Sequence, residues 1–265
     1  MKPNHPKPDF TVVIPSFKDL RIGETIESIN RQDYPRDRIE VVVMDGGSPP
    51  PVVDQIARWL RPWDQLISER DKGIFDGINR GIARATGGVI LTIGTDDKLA
   101  VSDAVTTFMR ALADPAVDYA CAGVAMTDQD WKPVREWPAT MPTLRNFLLG
   151  SQINHFSFVC RPSVYQQVGL FDLRYPVAAD FDFFLRLTKR GLPGARIPRR
   201  LVYMKLGGNS SKNLRNISRG NLEIVRSAFR LYGPLLLLHF MAKPFVKFAQ
   251  FRRAKRQAPA GSQVS

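Results

Sequence analysis

LISERDKGIFDGINRGIARATGGVILTIGTDD, residues 66–97, is the stretch from which the rest of the chain can be read. An apolar run enters a charged turn, Glu69-Arg70-Asp71-Lys72-Gly73. The next residues have helical spacing, with Ile74, Ile78 and Ile82 on one side and Asp76 and Asn79 on another. Gly87-Gly88 stops that helix, Val89 to Ile93 is a second apolar run, and Asp96-Asp97 stands just past its end. Strand, helix and strand within about thirty residues make a βαβ unit. Ligands of open α/β sheets bind outside the carboxyl ends of the strands. Two adjacent carboxylates there suit a divalent cation, which takes oxygen ligands.

The same alternation extends to both sides. Phe10 to Ile14 is a β-rich run after which Pro15-Ser16-Phe17-Lys18 is expected to leave the strand, because proline cannot continue a central ladder. Ile22, Ile26 and Ile29 repeat at helical spacing, Ile39 to Met44 is a buried strand ending at Asp45, and a helix covers about Val52 to Leu60. A helix from Ser102 to Leu112, with Ser102 as N-cap, precedes a small-residue strand from Tyr119 to Met126. The polar stretch from Thr127 to Pro142 reads as a long loop or short hairpin. His155 to Cys160 alternates like a strand. Short helices are expected at Val164 to Val168 and Asp180 to Lys189, and a late strand at Ile197 to Leu206. The pattern predicts an α/β fold: a Rossmann-like, mostly parallel sheet with helices on both faces.

The 265 residues suffice for a sizeable core, and 44% hydrophobic with 24% charged is ordinary for a soluble globular chain. Cys121 and Cys160 match no metal spacing and read as buried free thiols. Residues 1–9 contain no apolar run, so a secretory leader is not expected there. The charge of +13 is lopsided: 13 Lys and Arg and one acidic residue follow Arg199, against 25 and 24 from Met1 through Arg199. Leu214, Ile217, Val225, Ala228, Phe229 and Tyr232 are expected on one helical face, and Lys212, Arg215, Arg219, Arg226 and Arg230 on another. The apolar run Leu235 to Met241 and the basic end Arg252 to Arg256 follow. That run is far below the roughly 20 residues needed to span a bilayer. Three segments are expected: residues 1–211 an α/β domain, 212–256 a basic amphipathic helical extension, and 257–265 a flexible tail. Such an extension suits the anionic inner face of a cell membrane, or nucleic acid.

Asp45, Asp71 and Asp96-Asp97 each follow a strand-like run, which in a parallel sheet puts them on one edge. Alone, each is an ordinary turn former; together they suit a nucleotide, with one carboxylate for base or ribose and another for a metal on the diphosphate. The chain has neither a GxGxxG after its first strand nor a P-loop lysine motif, which disfavours a dinucleotide oxidoreductase or a P-loop kinase.

The segments VVIPSFKD, VVVMDGGS, SERDKGIFDGINRGIARATGG, the TDD triplet and HFSFVCRPSVYQQVGLFDLRYPVAADFDFFLRL resemble bacterial family 2 glycosyltransferases. The resemblance covers Thr11 to Ser211 and is greatest to members that build envelope or exported polysaccharides. It implies a GT-A fold and an inverting, metal-dependent transfer from a nucleotide sugar to a saccharide, here expected to be lipid-linked. It implies that Pro15, Phe17 and Asp45 hold the base and ribose, and that Lys72, Asp76 and Asn79 face the donor. Asp96 would meet the ribose or diphosphate, Asp97 a Mg²⁺ or Mn²⁺ cofactor, and Asp180 would be the catalytic base. His155, Asp182 and Arg186 would line the acceptor side, and Gly207 to Ser210 would form a closing loop. Lys18 stands where the family commonly has asparagine, and Ala179-Asp180 where it often has Glu-Asp. The resulting expectation is a peripheral membrane enzyme on the cytoplasmic side that binds no nucleic acid. The rival readings are a sugar-phosphate nucleotidyltransferase, which lacks its Gly-rich, Arg-containing loop here, a nucleic-acid-binding protein using the basic helix, and an inactive scaffold with a transferase fold.

Overall fold

The computed structural model describes residues 7–149, 153–206 and 214–234. The first half is a run of strands and helices: β1 (Phe10–Ser16), α1 (Ile22–Asn30), β2 (Ile39–Asp45), α2 (Pro50–Ala57), β3 (Gln65–Ser68), α3 (Ile74–Arg84) and β4 (Val89–Thr92). After it come β5 (Asp97–Leu99), α4 (Ala104–Ala111), β6 (Tyr119–Thr127), β7 (Pro133–Trp137), α5 (Leu144–Leu148), β8 (Phe158–Cys160), α6 (Pro162–Val168), α7 (Ala179–Arg190), β9 (Gly194–Lys205) and α8 (Leu214–Tyr232).

All the strands join one sheet in the order β3-β2-β1-β4-β8-β6-β9-β5, with β7 paired to β6. The β3-β2-β1-β4 half is parallel, β6 and β9 are also parallel, and the remaining pairs are antiparallel. Strand residues alternate between two apolar layers. Val12, Ile14, Val41 and Val43 pack with Ile22, Ile26, Ile29, Ile56 and Phe108 on one face. Val13, Val42 and Met44 pack with Ile78, Ile82, Phe183, Phe184 and Ala228 on the other.

Several local expectations change for physical reasons. β1 continues through Pro15, which pairs with Met44, to Ser16. Ile93 N–H donates to Val13 O, so alternate polar groups of β1 point toward β4. The β1–β4 register ends at Val13 and Thr92, so the N–H that proline lacks would have had no ladder partner. In α3, Ile74 is exposed while Phe75, Ile78 and Ile82 are buried, so the inner face is rotated by one residue. Gly81 lets α3 lie against β1: a Cβ there would stand 2.3 Å from Val13 Cγ1.

α4 starts at Ala104 rather than Ser102, because Ser102 O accepts Asp33 N–H and Asp103 pairs with Arg199. His155–Ser157 is a 3-10 turn, and only Phe158–Cys160 is strand. The stretch after Thr127 forms the β6–β7 hairpin.

The apolar face expected of the C-terminal helix divides. Ala228 is buried, but Ile217 and Phe229 are exposed, and the docked residues are Gly220, Glu223, Ile224, Ser227 and Ala228. Of the expected cationic stripe, Arg219 turns to Glu223 and Arg230 to Asp182, so α8 packs on α7 through part of its charge. The expected loop at Gly207 to Ser210, the apolar run from Leu235 and the basic end lie outside the described residues.

Candidate active site

The parallel half delivers Ser16, Asp45, Ser68 and Thr92 to one edge as strand-terminal residues. Asp45 is 1% exposed and fully engaged. Its Oδ2 accepts the N–H of Ser48 at 2.7 Å and the hydroxyl of Ser68 at 2.6 Å, and its Oδ1 accepts the Ser48 hydroxyl. Ser48 Oγ in turn accepts Lys18 N–H at 2.7 Å. Asp45 thus ties the ends of three strands together. Lys18, with φ of 52°, turns the chain so that Phe17 stands 56% exposed, with Lys18 Nζ 4.9 Å from the ring centre. A ring presented this way is available for stacking. Pro15 is buried, its Cβ on the side of Gly77 of α3.

At the start of α3, Lys72 is exposed and its N–H donates to Asp76 Oδ2 at 3.0 Å. Asp76 therefore holds the turn that presents Lys72. Asn79 makes a two-way clamp with Phe171: Nδ2 donates to its carbonyl at 2.8 Å, and Oδ1 accepts its N–H at 2.9 Å. These side-chain groups are spent on protein partners, so Asn79 anchors the loop before α7.

Asp96 and Asp97 lie between β4 and β5, with Asp97 opening β5 opposite Met204 of β9. Asp97 is 1% exposed. Its Oδ2 accepts Gly94 N–H at 3.3 Å, and Oδ1 is buried without a hydrogen bond of normal geometry, although the nearby Lys205 N–H also favours the charged form. Burial, with the neighbouring Asp96 charge adding to it, pushes the Asp97 carboxyl well above the usual carboxylate range. Asp96 is more open and meets Arg21 Nη1 at 3.1 Å. Arg21 also pairs with Asp19, whose Oδ2 accepts the Thr95 hydroxyl at 2.7 Å. Arg21 lies outside the motifs of the sequence, whereas Asp19 closes VVIPSFKD and Thr95 opens TDD without a role assigned to either. The ion pair that reveals them spans 75 residues and leaves no local pattern.

The remaining pair comes from the second half. His155 Nδ1 lies 3.5 Å from Asp180 Oδ2, with the Asp180 side chain 30% exposed. The imidazole is packed by Phe156 and by Phe75 of α3, while its Nε2 is buried without a partner. Asn154 contacts Met204 Sδ at 3.7 Å, and Met204 is the register partner of Asp97. The loop carrying His155 therefore joins the Asp97 strand pair to the start of α7.

Asp182 and Arg186 are a correction to the expected acceptor side. Two residues on a helix point about 200° apart, so Asp182 faces away from the direction of Asp180. Asp182 is wholly buried between Arg186, Ser227 and Arg230. Arg186 donates to the carbonyls of Val168 and Leu170, at and beyond the C-terminus of α6, where a cation is favoured.

The family model of glycosyl transferase family 2 matches residues 11–165. The chain belongs to that family. An uncharacterized glycosyltransferase of Mycobacterium tuberculosis is 32% identical over 181 residues, 68% of each chain. A PGL/p-HBAD biosynthesis glycosyltransferase of Mycobacterium bovis is 30% identical over 185 residues, 68% of this chain and 69% of its own. Amylovoran biosynthesis glycosyltransferase AmsE of Erwinia amylovora is 24% identical over 86% of each chain. Among solved structures, a Pyrobaculum calidifontis mannosyltransferase in complex with GDP-Man and Mn²⁺ superposes with a TM-score of 0.65 at 18% identity. It aligns over 96% of this chain and 76% of its own. S. aureus TarS 1–349 in complex with UDP-GlcNAc gives 0.65 at 14% identity, over 91% and 75%. The fold of this family 2 glycosyltransferase is GT-A.

A GT-A fold with a Mn²⁺-bearing neighbour raises the question of a cation here. Among the described residues no cluster of three or more His, Cys, Asp or Glu forms a metal cage. Magnesium and manganese bound with nucleotides need less: one or two carboxylates plus the substrate's phosphates. The orphaned, buried Oδ1 of Asp97 beside Asp96 fits that mode. Among the described residues no helix is long and apolar enough to cross a membrane.

Proposed function

We propose that this glycosyltransferase moves a sugar with inversion from a nucleoside-diphosphate sugar to a hydroxyl of a lipid-linked saccharide. The observation that carries the reading is Asp97, a buried carboxylate with one unpartnered oxygen at the strand-end edge. The exposed ring of Phe17 is set to stack on the base, with buried Pro15 two residues before it and Asp45 holding its loop through Ser48. Lys72, exposed at the start of α3, is the cation offered to the donor. Asp76 and Asn79 act behind it, holding the turn and the 171 loop. Asp96 and Asp97 would hold a divalent cation on the diphosphate, which when bound supplies Lewis-acid stabilisation of the leaving group.

The Asp180 carboxylate takes the proton of the acceptor hydroxyl as that oxygen bonds to the anomeric carbon. The bond from the anomeric carbon to the diphosphate oxygen breaks, and its electron pair leaves with the nucleoside diphosphate. One displacement inverts the centre and needs no protein nucleophile. General-base assistance of this kind contributes about 10²–10⁴-fold. His155 borders Asp180 on the side where the acceptor would enter.

The outer face of α8 supports the reading of a lipid-linked acceptor and a membrane-surface location. Leu222 and Phe229 point outward, 49% and 60% exposed, with Arg226 exposed beside them. An apolar stripe edged by cations suits the anionic inner leaflet, where each Lys or Arg near the surface adds about 1 kcal/mol. The biosynthetic roles named for the Mycobacterium bovis and Erwinia amylovora relatives support a saccharide product.

The test is a panel of UDP- and GDP-sugars with Mn²⁺ or Mg²⁺, scored by thermal shift and by release of the nucleoside diphosphate. A donor at 100 times its dissociation constant stabilises by about 2.7 kcal/mol. Absence of any metal-dependent shift or release across the panel overturns the proposal.

A further inference from the structure

α8 runs along α7 in the same direction. Glu223, 4% exposed, sends Oε2 to the backbone N–H groups of Val177 and Ala178, at 2.9 and 3.0 Å. Ala178 is the N-cap residue of α7 and has no side chain to satisfy the helix start. Gly220, a turn earlier, permits the approach: a Cβ there would lie 3.0 Å from Val177 Cγ1. A second tie follows a turn later. Buried Asp182 accepts Ser227 Oγ at 2.6 Å and Arg230 Nη2 at 2.8 Å. Further along, Tyr232 donates to Leu185 O and Lys189 to Leu231 O.

The two carboxylate ties bracket the segment centred on Asp180. Asp180 lies between the N–H groups held by Glu223 and the side chain held by Ser227 and Arg230. Backbone N–H groups cut off from water need partners, and the first turn of a helix has no internal ones. Without Glu223, residues 177 and 178 must move to find other acceptors, and Asp180 moves with them. A carboxylate displaced by about 1 Å from a reacting hydroxyl loses rate steeply, on the order of 10²-fold.

We propose that Glu223 is a positioning residue for the transfer reaction: from α8 it caps the segment bearing Asp180 and fixes that carboxylate beside His155. This rests on Asp180 being the base. α8 is then a working part of the catalytic unit as well as its outward face.

The test uses the full chain with Mn²⁺ and whichever of UDP-glucose, UDP-N-acetylglucosamine or GDP-mannose it hydrolyses fastest. Glu223→Ala is expected to lower kcat about 10-fold or more while UDP or GDP binding with Mn²⁺ stays within about twofold. Glu223→Gln keeps an acceptor oxygen and falls between Ala and wild type. Arg219→Gln removes only the exposed partner on Oε1 and behaves as wild type. In an Asp180→Asn background, Glu223→Ala leaves the residual rate unchanged, as expected of residues that act as a unit.

Amide exchange over residues 177–182 in nucleotide-free protein speeds up in Glu223→Ala. Unaltered exchange there overturns the proposal, whatever the activity. So do an unchanged kcat in folded Glu223→Ala, a loss confined to nucleotide binding, or an undiminished effect in the Asp180→Asn background. If Glu223→Ala does not fold, Glu223→Gln decides: a reduced kcat with unchanged nucleotide binding supports the proposal and a wild-type kcat overturns it. An active Asp180→Asn would remove the base reading itself. Failure of the Glu223 variants beside an inactive Asp180→Asn removes only the positioning role.

Discussion

His155 Nδ1 stands 3.5 Å from Asp180 Oδ2, and the other oxygen of that carboxylate accepts the N–H of Phe181 at 2.8 Å. One oxygen is therefore committed to the helix start while the other faces an imidazole wedged among Phe75, Phe156 and Phe171. Aromatic walls keep water from solvating the imidazole freely, and its buried Nε2 lacks a partner.

Replacing Asp180 by Asn is expected to lower transfer by about 10²–10⁴-fold. Nucleoside diphosphate affinity should persist, because the proposed contacts to the nucleotide and its cation come from Phe17, Lys72, Asp96 and Asp97 and not from Asp180. His155→Gln should cause a smaller loss. Kinetics paired with UDP or GDP titration checks both, and a collapse of nucleotide binding in Asp180→Asn would refute the assignment.

For Asp97 the sign of the pH effect is fixed by its raised pKa. The protonated form stabilises the fold fully below the unfolded-state pKa, and that contribution is lost as pH rises through the higher folded-state value. Without a divalent cation, wild type should lose stability relative to Asp97→Asn as pH rises from acid toward neutral. Near neutral pH, cation-free Asp97→Asn should melt no lower than wild type, yet gain nothing from Mn²⁺. Melting curves of both proteins from pH 4 to 8, with and without Mn²⁺ and nucleotide, decide the point.

Arg21 competes with any cation for Asp96. Arg21→Gln is expected to tighten Mn²⁺ binding to the nucleotide-free protein by up to about fivefold, the worth of a partly exposed ion pair near 1 kcal/mol. Calorimetric titration with Mn²⁺ alone reads this, and weakened binding would show that Arg21 assists the site instead.

Far from the site, Glu40 is 5% exposed and accepts from Thr11 Oγ1, Thr86 N and Gln65 Nε2. Glu40→Ala leaves Thr11 Oγ1 and Thr86 N without partners, while Gln65 Nε2 keeps Arg84 O, and should cost about 1–3 kcal/mol in unfolding free energy. The loss should appear in urea denaturation without a change in nucleotide affinity.

Burial pushes the Cys121 thiol up to about 12 and Cys160 higher still. Neither should react with a thiol reagent at pH 8 in the folded protein, and both should react in denaturant. Labelling followed by mass spectrometry tests this.

The sequence alone determined the parallel half of the sheet, α3 and the acidic residues at the strand ends. Buried parallel strands are continuous apolar runs, and a helix covering them repeats every three to four residues. Both signals are local. Only the tertiary structure decided what each polar residue is used for. Asp45 and Asp97 carry the same local signature, an aspartate at or after a strand. Yet Asp45 is satisfied by Ser48 and Ser68, and Asp97 is left with a bare oxygen. Asp180 and Asp182 sit two residues apart, and the face of α7 that meets α8 is fixed by Ser227 and Arg230, 45 and 48 residues after Asp182. Likewise Arg21 gained a partner 75 residues away, and Ala178 a cap from a helix 45 residues on. Periodicity records which side of an element is buried; it does not record which distant group completes a hydrogen bond there, because that depends on how the elements pack in three dimensions.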